Sequence, residues 1–198
     1  IVNMVERLHH KFDFNIITRD HDGKEDFTSY KTVKIDDWNL VENAQVFYLP
    51  QNEIKTSKIH QLISEVKPDS IYTNSYFATP AIYMLILRRL GRIGKCNVIV
   101  APCGELSEGA LSLKSQKKKA FIKIAKALKL YKGVIWKASN EVEQMEIEKI
   151  NGKGNKIFIA PDLTPKVIFP EFEQLPKITK NIGEAKMVFL SRVSAKKN

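Results

Sequence analysis

Six short runs recur along the chain, at residues 13–18, 44–48, 70–73, 97–101, 133–137 and 156–160. Each is rich in Val, Ile, Tyr or Phe and almost continuously apolar, the pattern of a strand covered on both faces. Between them the period changes. Residues 55–66 place Ile59, Leu62, Ile63 and Val66 on one helical face and stop at Pro68-Asp69. Residues 2–11 and 79–90 read as further helices, the latter with Pro80 in its first turn. Residues 113–131 place Phe121, Ile124, Ala125 and Leu128 on one face and lysines on the other. Residues 141–150 start after Ser139-Asn140, a helix cap, and end before Gly152. Such alternation predicts an α/β fold: a doubly wound, mostly parallel sheet with right-handed crossovers and residues 97–101 near its centre.

The pattern breaks after residue 162, where Pro165, Pro170 and Pro176 fall among mixed charges. Residues 163–185 therefore read as a linker and residues 187–190 as a fresh strand. The expected organisation is one domain over 1–162, the linker, and the start of a second domain over 186–198. The chain opens Ile1-Val2-Asn3 without an initiator Met or signal peptide, so both ends are expected to be cut from a longer product. The longest apolar stretch, residues 78–87, is too short to span a bilayer.

The net charge is +10, and it is concentrated: residues 109–140 hold nine lysines and no acidic residue. A local basic patch implies an anionic partner such as nucleic acid, a membrane surface or a phosphorylated ligand; a merely solvated helix face is the plainer alternative. The candidates for the patch are Lys117, Lys118, Lys119 and Lys123. Cys96 and Cys103 form no CxxC and are too few for a disulfide framework, which points to a reducing cytoplasm. His9, His10, His21 and His60 show no metal-ligand spacing, so no metal is expected, and His9-His10 read as surface residues near a helix end.

In an open parallel sheet, ligands bind beyond the carboxyl ends of the strands. The segments found there are Arg19-Asp20-His21-Asp22-Gly23, Asn74-Ser75-Tyr76, Pro102-Cys103-Gly104-Glu105, Ala138-Ser139-Asn140-Glu141 and Ser191-Arg192 with Lys196-Lys197. A glycine directly after a central strand lets the backbone approach a ligand, so Gly104 and Glu105 stand at the head of the cleft. The dinucleotide GxGxxG, the Walker A loop and the GxSxG elbow are all missing from the sequence.

Three stretches, APCGELSEGALSLKSQKKKAFIKIAKAL, WKASNEVEQMEIEKI and FLSRVSAKKN, give the chain a resemblance to the N-terminal half of a family 4 glycosyltransferase. That family has the GT-B architecture, two Rossmann-like domains facing across a cleft. The resemblance covers nearly the whole chain and thins before Asp69. It departs at Cys103, where relatives often carry Arg, and it lacks the upstream Gly-rich loop and the downstream E-x7-E motif.

The resemblance implies a Rossmann-like acceptor-binding domain, with Arg192 and Lys197 gripping the diphosphate of a nucleotide-sugar donor. Two cations there would oppose the charge growing on the leaving group. Gly104, Glu105, Asp20, His21 and Asn74 are candidates for touching the acceptor, a glycan or lipid-linked glycan of surface polysaccharide synthesis. No catalytic residue is assigned, no cofactor beyond the donor substrate is expected, and the chain alone is expected to be inactive. Peripheral contact with the inner face of an anionic membrane is expected at the basic helix. The rival readings are a basic α/β module that binds nucleic acid, which shows no RNP, KH or helix-turn-helix signature, and a closed flavodoxin-like or receiver-like domain.

Overall fold

In a computed structural model of the protein, residues 1–22, 28–166 and Gly183 are described. The expected linker beyond residue 166 and the segment holding Arg192, Lys196 and Lys197 lie outside the described residues. The elements are α1 (Val2–Leu8), β1 (Phe14–Arg19), β2 (Trp38–Val41), β3 (Ala44–Leu49), α2 (Thr56–Val66), β4 (Ser70–Thr73), α3 (Thr79–Arg89), β5 (Asn97–Val100), α4 (Glu108–Ser112), α5 (Ser115–Ala127), β6 (Ile135–Ala138), α6 (Glu141–Asn151) and β7 (Lys156–Ile159). All six expected strands form, each within two residues of its expected bounds.

The four strands β4-β5-β6-β7 make an all-parallel sheet in that order, flanked by helices, which is a Rossmann-like α/β arrangement. β5 is an interior strand, as its continuous apolar run predicts. The other strands form a second sheet, ordered β1-β3-β2, rather than extending the first. There β1 is parallel to β3, with Phe14 opposite Ala44, while β2 is antiparallel, with Trp38 opposite Phe47. Sequence reading missed β2. Its hairpin turns through Glu42, at φ 52°, so no Asn-Gly or Asp-Gly marks it.

Residues on β3 alternate between two cores. Ala44 and Val46 face Val5 of α1, whereas Phe47 and Leu49 join the main core with Leu62, Leu85, Val100 and Ile147. At the centre of that core lie three stacked rings. Tyr76 and Tyr131 are 4.4 Å apart and nearly parallel, and Trp136 stands 5.4 Å from Tyr131. The Tyr131 hydroxyl donates to the Tyr76 carbonyl at 2.6 Å, so the stack is also tied by a buried hydrogen bond.

The basic helix expected over 113–131 forms as α5, shorter at both ends, and a separate short helix, α4, precedes it. Ser107 caps α4 by accepting from the Ala110 N–H, and the chain then bends at Leu113 and at Lys114, which sits at φ 54°. The Lys118 ammonium donates back to the Ala110 carbonyl at 2.5 Å and lies over the Phe77 ring, bracing the bend. This rotates α5 relative to expectation. Ala125 is buried, but Ile124 and Leu128, expected in the core, are 58% and 61% exposed.

These packings make contrasting demands on stability. Trp136→Ala removes a ring with no exposed surface and is expected to cost about 4 kcal/mol in denaturant unfolding. Ile124→Ser, at an exposed site, is expected to shift stability by no more than about 0.5 kcal/mol.

Candidate functional site

The carboxyl edge of the four-stranded sheet is organised by two glutamates. Glu105, just past β5, reaches across to the end of β4. Its carboxylate accepts from the Ser75 hydroxyl at 2.9 and 3.0 Å, the Tyr76 N–H at 2.6 Å and the Phe77 N–H at 3.2 Å. The Ser75 hydroxyl in turn accepts from the N–H groups of Phe77 and Ala78 at the start of α3.

Glu143 joins β5 to β6. It occupies the third position of α6, where Asn140 caps the helix by accepting from the Glu143 N–H. From there its carboxylate accepts from the Ser139 N–H and hydroxyl, both at 2.7 Å, and from the Gly104 N–H at 2.6 Å. Although the residue is buried, its carboxylate oxygens have three donors and face the helix N-terminus. Cys103 and Gly104 sit at φ 52° and 71°, and this paired left-handed turn aims the Gly104 N–H at Glu143. Ser139-Asn140 thus does cap a helix, as its sequence predicts. The role of Glu143 was missed, and Asn-x-x-Glu, a variant of the capping box, was its signal.

Cys103 is an exposed residue whose Sγ turns toward the sheet and donates to the Ala101 carbonyl at 3.5 Å. Partial burial of the sulfur, then the Glu143 and Asp162 carboxylates, push the thiol above its ordinary value. A protonated thiol is a poor nucleophile, which argues against thiolate catalysis. Tyr72, at the end of β4, is pushed up to about 12 by burial and by Cys103, Asp162 and Glu143. Lys137 of β6 pairs with Asp162 beyond β7. Sequence reading passed over Tyr72, Lys137 and Asp162 because nothing local shows that three separate strand ends converge.

A second polar group closes the end of β1. Asp20 and His21 are both buried, with the His21 Nδ1 2.6 Å from one Asp20 oxygen and the Ser29 hydroxyl donating to the other at 2.5 Å. Burial opposes ionisation of Asp20, but the hydrogen bonds from Ser29 and His21 outweigh it and hold its carboxyl below the usual range. Of the expected acceptor contacts, Asn74 is exposed, whereas Glu105, Gly104, Asp20 and His21 are engaged in shaping loops. His9 and His10 are exposed beyond α1, as read from sequence.

Among the described residues, no three His, Cys, Asp or Glu side chains come together as a metal site, and no helix is long and apolar enough to cross a membrane. No family model, curated protein or solved structure matches the chain.

Two measurements check this edge. Glu143→Ala strands the Gly104 and Ser139 donors and is expected to lower the unfolding free energy by about 3 kcal/mol. Alkylation of Cys103 is expected to reach half its maximal rate at a pH above that of a free thiol. Asp162→Asn lowers that midpoint, since it removes a carboxylate that opposes the thiolate and releases Lys137, which favours it.

Proposed function

We propose that the chain is the acceptor-binding part of a glycosyltransferase, moving a sugar from a nucleotide-sugar donor to a glycan or lipid-linked acceptor. The observation that carries this reading is the composition of the sheet edge. Its two glutamates are taken up by backbone N–H groups and serine hydroxyls, and the Asn140 oxygen caps α6, while Asn74 remains exposed. Amides on a fixed backbone suit hydroxyl-rich ligands, to which they both donate and accept. Such an edge positions an acceptor, and the charge chemistry of transfer falls to the donor side. This division agrees with the three stretches that resemble family 4 glycosyltransferases and with Arg192 and Lys197 as grips on the donor diphosphate.

The lysines of α5 support the second reading, a basic module that binds nucleic acid. Duplex DNA binding that falls steeply with added salt, without any sugar transfer, would favour it.

The test is nucleoside diphosphate release by the full gene product, supplied with nucleotide sugars and lipid extract. Arg192→Ala is expected to reduce turnover about a hundredfold, roughly 3 kcal/mol of transition-state stabilisation. Lys197→Ala behaves similarly, and Lys196→Ala has little effect. Calorimetric titration of the 198-residue chain with nucleotide sugars is expected to show no tight binding. Tight binding by this chain would overturn the assignment of the donor site to the second domain.

A further inference from the structure

The two faces of the four-stranded sheet are covered unequally. Val100, Trp136 and Ala138 join the main core, where Met84, Ala125 and Ile147 of α3, α5 and α6 meet them. Side chains alternate along a strand, so Ile99, Ile135 and Lys137 belong to the other face. Register adds Tyr72, which is opposite Ile99 as Ile99 is opposite Ile135. All four are half-buried. Lys137 stands one step beyond Ile135 on this face, at the carboxyl edge.

The chain after β7 forms a strap, residues 160–166, that is exposed throughout yet tied at both ends. The Ala160 N–H donates to the Ala138 carbonyl at 2.8 Å. Asn3 and Arg7 of α1 donate to the carbonyls of Leu163, Thr164 and Pro165 at 2.6, 2.7 and 2.9 Å. Between these ties, Asp162 is paired with Lys137. The pair is lopsided: the Lys137 side chain is 13% exposed and that of Asp162 80%. Among the described residues, Asp162 is the only acceptor for the Lys137 ammonium, which has two further N–H bonds to donate. The Asp162 carboxylate also lies close enough to Tyr72 and Cys103 to oppose the ionisation of both. A mostly buried cation beside a phenol hydroxyl thus takes its counter-ion from a solvent-exposed segment.

We propose that Lys137, with Tyr72 beside it, is a subsite for a ligand carboxylate, and that Asp162 fills it as an internal stand-in that gives way to the ligand. The ligand class is an acidic sugar, a uronic acid borne by the acceptor glycan. Assigning it to the acceptor rests on the transferase reading, whereas the exchange of carboxylates rests on the geometry alone. An ammonium so far from water is costly without a partner, but Asp162 is solvated and loses little on leaving. One ammonium balances one carboxylate. A phosphate dianion would bring a second negative charge close to Glu143, whose carboxylate is already fixed by Gly104 and Ser139. Tyr72 offers an apolar ring and a hydroxyl donor, which match the C–H face and the hydroxyl rim of a sugar.

The test needs no donor. The 198-residue chain is titrated with glucuronate, glucose and glucose 6-phosphate at fixed ionic strength, followed by NMR of its backbone amides. Glucuronate is expected to bind more tightly than either of the others. Asp162→Ala removes the internal competitor and is expected to tighten glucuronate binding about fivefold, as loss of one partly exposed ion pair allows. Lys137→Met keeps the aliphatic stem and is expected to abolish binding with or without Asp162→Ala. Lys156→Met, the same loss of charge opposite Ile135 on this face, is expected to leave it unchanged. Bound glucuronate is expected to slow alkylation of Cys103 but not of Cys96, which precedes β5 at the other edge. Thermal melts matching the parent establish that each variant is folded; should Lys137→Met melt early, Asp162→Ala, changed at an exposed side chain, decides alone. Glucuronate affinity that Asp162→Ala leaves unchanged or weakens overturns the proposal. So does tighter binding of glucose 6-phosphate, or undiminished binding by folded Lys137→Met. Nucleoside diphosphate release by the full gene product is measured apart. Release without glucuronate binding removes the subsite and leaves the transferase reading, and binding without release does the reverse.

Discussion

Three neighbouring parallel strands must each end in a loop whose backbone donors lie close to the core. The four-stranded sheet meets that requirement with two carboxylates. Glu105 takes the donors at the end of β4, and Glu143 takes those at the ends of β5 and β6. A buried N–H without a partner costs about 1–3 kcal/mol, so such loops stay ordered only while both carboxylates are in place. The arrangement also links consecutive crossovers. Glu143 belongs to the helix after β6 yet holds the loop after β5, and Glu105 belongs to that loop yet holds the start of the helix after β4.

The same staples fix the aromatic core. The Tyr76 N–H is bound by Glu105, its carbonyl accepts from Tyr131, and its ring lies on Tyr131 beside Trp136. The polar edge and the apolar centre therefore share one residue. Movement of the β4 loop would break a charge-assisted hydrogen bond and disturb the stack together, so the edge is a rigid platform. A rigid edge holds the exposed Asn74 at a set position.

The opposite behaviour is found on α5. Ala125 and the half-buried Phe121 and Ile122 attach it to the core, and its other faces are left to solvent. An amphipathic helix ordinarily buries its aliphatic residues and exposes its charged ones. Here Ile124 and Leu128 are exposed as well, so the exposed half of the helix is itself amphipathic. Such a surface is stable in water because its lysines keep it solvated.

Continuous apolar runs and the helical periods between them determined the strand–helix alternation, because covering a parallel sheet on both faces demands those residue types whatever the details of packing. The cap at Asn140 was legible because it acts on the Glu143 N–H only three residues away, whereas Ser107 as the cap of α4 was missed. Tertiary structure alone decided the rest. Glu105 reads as a cleft residue until Ser75 and Tyr76, about thirty positions earlier, are brought within hydrogen-bonding distance. The orientation of α5 depends on Lys114 adopting a left-handed turn and on Lys118 folding back to Ala110, and periodicity carries no record of either. Sequence records which residues favour burial. Which of them are buried depends on how far each helix rotates as it docks, and that rotation is set by long-range contacts.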